Sequence, residues 1–245
     1  MEPKRLHSIY YRLMKLVIFD IDGTLTLTNH ADELCFLRTA QMLINSKIQE
    51  IVPEQFIHYT DQNIVRELYL WNQGKEVQET EIETFKSMIK LHLNEMKVDK
   101  PEFFKAVSGA QNILKIFNSD WKVALATGCW EFAAKIKLEA AAIDLPDNLP
   151  ISTSDGILSR QEIMLNAIKK AKLNYDITDF ERIVYIGDGI WDLKTCASLN
   201  IPFVGIEAEE KMTKRQALGH FWKLENYLDR DNFLHCLENA EIPKM

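Results

Sequence analysis

Short apolar runs alternate with amphipathic stretches along most of this chain. The strand candidates are KLVIFD (15–20), KVALAT (122–127), RIVYIG (182–187), PFVGI (202–206) and a weaker LPIST (149–153). Runs that are apolar on both faces are typical of parallel sheets covered on both sides. The stretches between them have helical periodicity and would supply right-handed crossovers, at about 106–118, 131–142, 161–172 and 190–199. The pattern predicts an α/β fold with a doubly wound parallel sheet.

One long segment interrupts this alternation. From residue 29 to residue 105 there is no convincing strand, and apolar residues recur at helical spacing from Ile82 to Met96, after a capping box predicted between Thr80 and Glu83. The stretches DELCFLRTAQMLIN and NIVRELYLW indicate two more helices. An insert at the carboxyl end of a sheet strand lies over the usual ligand site of an open α/β sheet. Its expected role is therefore that of a lid.

The predicted domain organisation follows from this insert. We expect a helical cap over 29–105 and an α/β core formed by 15–28 and 106–245. Residues 1–14 are expected to form an N-terminal extension, unless Met14 is the start of the protein. No apolar stretch near the N-terminus is long enough for a secretory or transmembrane segment, so no targeting signal is expected.

Composition narrows the class of partner. The chain has 245 residues, 47% of them hydrophobic, a formal net charge of −7 and a pI of about 5.5. Acidic proteins lack the positive field that non-specific nucleic-acid or anionic-membrane binding requires, so we expect a small-molecule partner, with neither nucleic acid nor membrane. The four cysteines are scattered and contain no close metal-ligand pair, which favours free core thiols in a reducing cytoplasm.

The first candidate for chemistry is the stretch KLVIFDIDGTLT. Asp20 and Asp22 stand two residues apart where an apolar strand ends, so an extended chain would place both carboxylates on one side. Like charges at this separation repel each other, and the arrangement costs stability unless a cation or a chemical role compensates.

Two other strand ends carry similar signals. Thr127 and Gly128 close a strand just before a predicted helix, which suits phosphate binding, although a plain turn is the commoner meaning of this pair. Asp188 and Asp192 follow another strand, in IGDGIWD. Carboxylates there suit a hard cation such as Mg²⁺, whereas a turn followed by a helix cap is the alternative.

A basic residue completes the candidate set. A capping box from Ser159 to Glu162 places Arg160 in the first turn of a helix, where a cation opposes the helix dipole. Arg160 therefore either answers an anion outside the helix or is a solvated surface residue; Lys169 and Lys170 are the alternatives for the same role.

In this order the elements FDIDGT, ALATG, the basic residue and GDGIWD resemble the motifs of the haloacid dehalogenase-type phosphohydrolase superfamily, from Lys15 to about Gly205. The resemblance implies that Asp20 attacks phosphorus to form an aspartyl-phosphate and that Asp22 acts as general acid and then general base. It implies Mg²⁺ held by the Asp20 carboxylate, the Asp22 backbone carbonyl and Asp188, with Asp192 supporting the site directly or through water. It also implies that Thr127, Gly128 and Arg160 hold the phosphoryl oxygens.

The resemblance is compatible with more than one function for this protein. Asp22 favours phosphoester chemistry, because relatives that cleave carbon–halogen or phosphonate bonds generally lack an acid at this position. A phosphatase acting on a small phosphate ester is the leading hypothesis; a phosphomutase and a non-catalytic binding protein are the others. Substrate contacts from Asn29, His30, Trp71, Asn72, Lys75 or Trp130 compete with simple packing roles. The sequence does not decide the substrate or the oligomeric state.

Overall fold

Six parallel strands form the centre of the protein. The computed structural model describes residues 14–117, 120–207 and 222–244. Its strands are β1 (Lys15–Phe19), β2 (Trp121–Ala126), β3 (Ile151–Ser152), β4 (Arg182–Gly187), β5 (Phe203–Ile206) and β6 (Trp222–Leu224). They lie in the order β3-β2-β1-β4-β5-β6, and each neighbouring pair is parallel. The predicted α/β class with a parallel sheet is confirmed.

The helices fall into two groups along the chain. Between β1 and β2 lie α1 (Asn29–Ile44), α2 (Asp61–Gln73) and α3 (Glu79–Asp99). The later helices are α4 (Glu131–Ala140) after β2, α5 (Arg160–Tyr175) after β3, α6 (Ile190–Leu199) after β4 and α7 (Arg230–Asn239) after β6. Short 3₁₀ helices occur at Pro53–Gln55, Pro101–Phe104 and Ala110–Lys115. None of the helices in the described ranges has the length and apolar character needed to cross a bilayer.

Both faces of the sheet are buried, which explains the continuous apolar runs. Alternate residues of β1 belong to different cores: Val17 and Phe19 pack with the side that holds the insert and α7, and Leu16 and Ile18 pack with α5 and α6. All four of these side chains are fully buried. Each is worth roughly 1.5–3 kcal/mol of transfer free energy, so β1 is a rigid base for the residues that follow it.

The helix predicted at 106–118 is wrong. Thr26 bridges Ala106, and the Val107 amide donates to the Leu25 carbonyl, so the start of this segment is extended. Gly109 then adopts φ +84°, outside the helical region, and only a 3₁₀ helix follows.

Two smaller predictions also need correction, and two elements were missed. Helix α3 begins at Glu79, and the Gln78 amide donates to the Glu81 carboxylate, so the cap lies two residues before the predicted Thr80. Strand β6 and helix α7 were not predicted. The N-terminal extension lies outside the described residues except for Met14, whose carbonyl accepts a hydrogen bond from the Glu181 amide.

Candidate active site

The loop after β1 places Asp20 in the interior. Its backbone amide donates to the Ile186 carbonyl of β4 at 2.9 Å, and its side chain is buried. The chain then turns at Gly23, which has φ +72°. A Cβ atom at Gly23 would lie 2.1 Å from Asp188 Oδ2, so glycine allows this turn to approach Asp188 closely.

Three carboxylates meet at the carboxyl edge of the sheet. Asp20, Asp188 and Asp192 each offer an oxygen, and these oxygens lie within 4.8 Å of one another. Asp192, in the first turn of α6, also accepts a hydrogen bond from the Gly189 amide at 3.1 Å. A small group of carboxylate oxygens in this arrangement fits a hard divalent cation.

Arg160 contacts two of these three acids. Its Nη1 lies 3.4 Å from Asp20 Oδ1 and 3.4 Å from Asp192 Oδ1. Its Nε donates to the Tyr59 carbonyl at 3.1 Å, and a Cβ at Gly128 would come within 2.6 Å of its Nη2. The guanidinium is therefore held against the loop that follows β2.

The start of α5 explains how Arg160 reaches this position. The Ser159 hydroxyl caps the helix by accepting from the Glu162 amide at 3.1 Å, as predicted. The alternatives point elsewhere: Lys170 Nζ donates to the Ile151 carbonyl at 2.7 Å, and Lys169 is exposed. Of the three basic candidates, Arg160 is the one that the structure brings to Asp20.

Burial and crowding of negative charge alter the acidity of the site. Burial raises the pKa of Asp20 to about 7; Arg160 opposes this rise, while Asp192 and Asp22 add to it. Burial also raises the pKa of Asp192 to about 6, again against the influence of Arg160. Burial disfavours the charged form of Arg160, yet Asp20 and Asp192 raise its pKa and keep it cationic. The site therefore holds more negative charge than Arg160 alone balances.

The end of β2 contributes the predicted threonine and glycine. Thr127 is buried, and its hydroxyl oxygen accepts from the Cys129 amide at 3.3 Å. Gly128 lines the same cavity as Asp20 and Arg160, and its carbonyl accepts from the Asp61 amide at 2.8 Å. The structure thus brings this loop to the carboxylates, as the sequence predicted.

Asp22 has a different environment from the three clustered acids. Its Oδ1 accepts from the Thr28 hydroxyl at 2.5 Å, and its Oδ2 lies 2.9 Å from Lys137 Nζ. Lys137 also lies 2.5 Å from Asp32 Oδ1. Sequence reasoning missed Lys137 and Asp32, although a signal was present: Ala133, Lys137 and Ala141 share one helical face, and lysine interrupts its apolar stripe.

Residues of the helical insert line a cavity of about 490 Å³ together with Asp20 and Arg160. Three contacts join the start of α2 to the core: Thr60 Oγ1 donates to the Leu158 carbonyl at 2.7 Å, the Asp61 amide donates to the Gly128 carbonyl, and Asp61 Oδ2 accepts from the Trp130 amide. Sequence reasoning missed these contacts as well. They hold the insert against the same loops that carry the proposed phosphate-binding groups.

The candidates for substrate contact separate into two sets. Asn29 and His30 line the cavity, and Asn29 Nδ2 donates to Asp188 Oδ2 at 3.2 Å. The others make packing or surface contacts, with Trp130 fully buried, Trp71 stacked on Phe56, Asn72 bonded to the Leu68 carbonyl and Lys75 paired with Glu81. An aromatic pair that was not predicted, Tyr59 and Trp191, lines the cavity with ring centroids 4.3 Å apart.

Comparison with known proteins gives one family match and several structures of similar fold. The family model for haloacid dehalogenase-like hydrolases matches residues 14–200. No curated protein gives a significant match. Among solved structures, a hydrolase from Pseudomonas syringae has a TM-score of 0.68 and 21% identity over 92% of this chain and 99% of its own.

Two further structures carry names that suggest phosphoryl-transfer activities. A protein from Bacteroides vulgatus, proposed to be a β-phosphoglucomutase, has a TM-score of 0.61 and 16% identity over 93% of this chain and 90% of its own. A predicted phosphoglycolate phosphatase from Haemophilus somnus has a TM-score of 0.60 and 15% identity over 90% of this chain and 98% of its own. At these identities the likeness shows a shared fold.

Proposed function

Because this chain belongs to the haloacid dehalogenase-like hydrolase family, we propose that it hydrolyses a small phosphate monoester in two steps through an aspartyl-phosphate on Asp20. The observation that carries the proposal is the position of Asp20, buried at the end of β1 and 3.4 Å from Arg160. A carboxylate nucleophile needs a cationic environment to meet a phosphate dianion, and this geometry supplies one.

In the first step, an Asp20 oxygen bonds to phosphorus while the bond to the leaving oxygen breaks. Asp22 donates a proton to that leaving oxygen, so the product departs as an alcohol. In the second step, Asp22 takes a proton from water, and the water oxygen attacks phosphorus. The acyl-phosphate bond breaks and releases phosphate and the Asp20 carboxylate.

The remaining predicted residues would hold the transferring group. Arg160, Thr127 and Gly128 would bind the phosphoryl oxygens, whose charge is spread over a loose transition state. The Asp20 carboxylate, the Asp22 backbone carbonyl and Asp188 would hold Mg²⁺, with Asp192 supporting them. When bound, Mg²⁺ supplies positive charge that offsets the carboxylates and the phosphate dianion.

The insert would bind the non-reacting part of the substrate. Its side chains and the aromatic pair share the 490 Å³ cavity with Asp20, a size that suits a small metabolite. We propose that residues 29–105 act as the cap of an α/β core formed by 15–28 and 106–245.

A phosphomutase is the second candidate. It is favoured by the hydrogen bonds of Thr60 and Asp61 to the core, since a closed insert protects a phosphoenzyme from water, and by the likeness to the Bacteroides vulgatus protein. The test is to incubate the protein with a panel of phosphate monoesters, with and without Mg²⁺, and to follow both phosphate release and isomerisation in the presence of a sugar bisphosphate. Phosphate release that requires Mg²⁺ supports a phosphatase, and bisphosphate-primed isomerisation without release supports a mutase. If the protein shows neither phosphate release nor isomerisation on a broad panel of esters, a non-catalytic binding protein is favoured.

A further inference from the structure

A buried lysine links Asp22 to the helical insert. Lys137 lies on the core helix α4, and its side chain has 0% exposure. Its ammonium contacts Asp22 from the loop after β1 and Asp32 from the first turn of α1. This ion pair network therefore joins three separate elements of the chain.

A lysine at this position needs a reason, because burying an ammonium group is unfavourable unless it is paired. Its neighbours on the same face of α4, Ala133 and Ala141, are buried apolar residues, so packing alone would be served by an apolar side chain. Burial disfavours the charged form of Lys137, but Asp22 and Asp32 raise its pKa and keep it cationic. Burial likewise raises the pKa of Asp32, against the influence of Lys137.

The contacts fix the orientation of the Asp22 carboxylate. Thr28 donates to Oδ1 at 2.5 Å and Lys137 donates to Oδ2 at 2.9 Å, so each of the two carboxylate oxygens of Asp22 has its own donor. A general acid must lie within hydrogen-bond reach of the leaving oxygen, and a displacement of about 1 Å can cost about a hundredfold in rate. Free rotation of the Asp22 side chain would therefore lower the rate of proton transfer.

We propose that Lys137 is a positioning residue for Asp22, and that Asp32 makes this positioning depend on the packing of α1 over the core. The inference rests on the proposed acid and base role of Asp22. Lys137 has no role in holding the phosphoryl group, so its removal affects the two proton-transfer steps and leaves substrate binding nearly unchanged.

The experiment compares Lys137→Met with Asp22→Asn on two substrates, an alkyl phosphate and p-nitrophenyl phosphate. The alkyl leaving oxygen needs a proton and the nitrophenolate does not. We expect Lys137→Met to lower kcat for the alkyl ester about a hundredfold, to slow phosphorylation by the nitrophenyl ester about tenfold or less, and to leave KM nearly unchanged. Lys135→Met, on the exposed face of α4, is the matched control and should behave as wild type.

A double variant tests whether Lys137 acts through Asp22. The phosphoenzyme is formed with labelled p-nitrophenyl phosphate, excess unlabelled ester is added, and the rate at which the label leaves the protein is measured. The proteins compared are wild type, both single variants and Lys137→Met/Asp22→Asn. If Lys137 acts by positioning Asp22, the double variant is no slower than Asp22→Asn. If the two residues act independently, the fold-losses in rate of the two single variants multiply in the double variant. Multiplied losses, or equal losses on both esters, overturn the role of Lys137.

Two controls keep these outcomes interpretable. Circular dichroism and thermal unfolding establish that each variant is folded. If Lys137→Met is not folded, Lys137→Met/Asp32→Leu also removes the second carboxylate partner of Lys137; this variant should fold and lose more rate on the alkyl ester than on the nitrophenyl ester. If Asp22→Asn itself treats both esters alike, the proposed function of Asp22 fails together with this inference. If Asp22→Asn discriminates and Lys137→Met does not, only the role of Lys137 is overturned.

Discussion

Arg160 Nη1 lies 3.4 Å from Asp20 Oδ1, so the proposed nucleophile and the cation proposed to bind the phosphoryl group are in contact before any substrate arrives. Both side chains are largely buried, with 2% exposure for Asp20 and 12% for Arg160. A phosphate dianion can replace the carboxylates of Asp20 and Asp192 as the partner of Arg160. The site is thus preorganised for an anion rather than assembled by it.

Asp20→Asn should abolish turnover while the protein stays folded. An amide cannot serve as the nucleophile, and it removes a buried carboxylate whose pKa burial raises to about 7. The metal-free variant should therefore unfold at the same or a higher temperature than wild type at about pH 8. Phosphate release and thermal unfolding measure the two effects, with Glu139→Gln on the exposed face of α4 as a control. Substantial turnover by the pure variant would show that another residue attacks phosphorus.

Arg160→Ala should reduce kcat/KM by roughly a hundredfold or more, the loss expected when a transition-state contact is deleted. Arg160→Lys should recover only part of this, because lysine lacks the second group that reaches the Tyr59 carbonyl. Steady-state kinetics measure both variants. Lys170→Ala is the matched control on the same helix, since its ammonium contacts only a β3 carbonyl among the contacts described. A nearly normal Arg160→Ala beside an impaired Lys169→Ala or Lys170→Ala would transfer the anion-binding role to that lysine.

Asp22→Asn should make p-nitrophenyl phosphate give a burst of nitrophenol followed by a stall. The first step can proceed without an acid for this leaving group, but the second step lacks its base. Rapid-mixing absorbance detects the burst. The stalled species should be phosphate-labelled protein that is stable in acid and released by hydroxylamine. Steady slow turnover without trapped phosphoenzyme would mean that Asp22 serves a structural purpose only.

The sequence predicts the centre of this site well because the chemistry lies at strand ends. Strand β1 was predictable from a continuous apolar run, and parallel strands bring their carboxyl ends to one edge. Asp20 and Asp188 could therefore be placed together without coordinates, and the structure brings Asp192 to them. Arg160 was predictable from a helix cap, although the same pattern fitted a surface arginine.

The rest depends on contacts that no local pattern encodes. The pairing of Lys137 with Asp32 requires the fold to bring the first turn of α1 to α4, and the two residues are far apart in sequence. The segment at 106–118 has helical periodicity, but its tertiary pairing with the loop after β1 overrides that preference. Strand β6 has only three residues, too few to show a period.

The contribution of Asp20 and Asp192 to the stability of the metal-free protein should fall as the pH rises from about 4 to about 7. Burial raises the pKa of Asp20 to about 7 and that of Asp192 to about 6, both above the value of about 3.9 expected in an unfolded chain. Between these values Asp20 and Asp192 bind more protons in the folded protein than in the unfolded chain, so the stability that these two groups contribute falls with each increase in pH. Ionised carboxylates bind Mg²⁺ without first losing protons, so Mg²⁺ should raise Tm more at about pH 8 than at about pH 5.

The measurement is thermal unfolding across this pH range, in chelator and in Mg²⁺. For a chain of this size each 1 kcal/mol corresponds to roughly 2–4 °C in Tm, so the trend is resolvable. Asp192→Asn removes one of these two carboxylates and a member of the acidic group, so in chelator its Tm relative to wild type should increase from about pH 4 to about pH 7, and the Mg²⁺ effect should be smaller. An Mg²⁺ effect that is absent at both pH values, or equally large in Asp192→Asn, would contradict a metal site at these carboxylates. A Tm difference in chelator between Asp192→Asn and wild type that does not grow from about pH 4 to about pH 7 would contradict the raised pKa of Asp192, because a carboxylate whose pKa is raised by folding loses its stabilising effect as the pH rises.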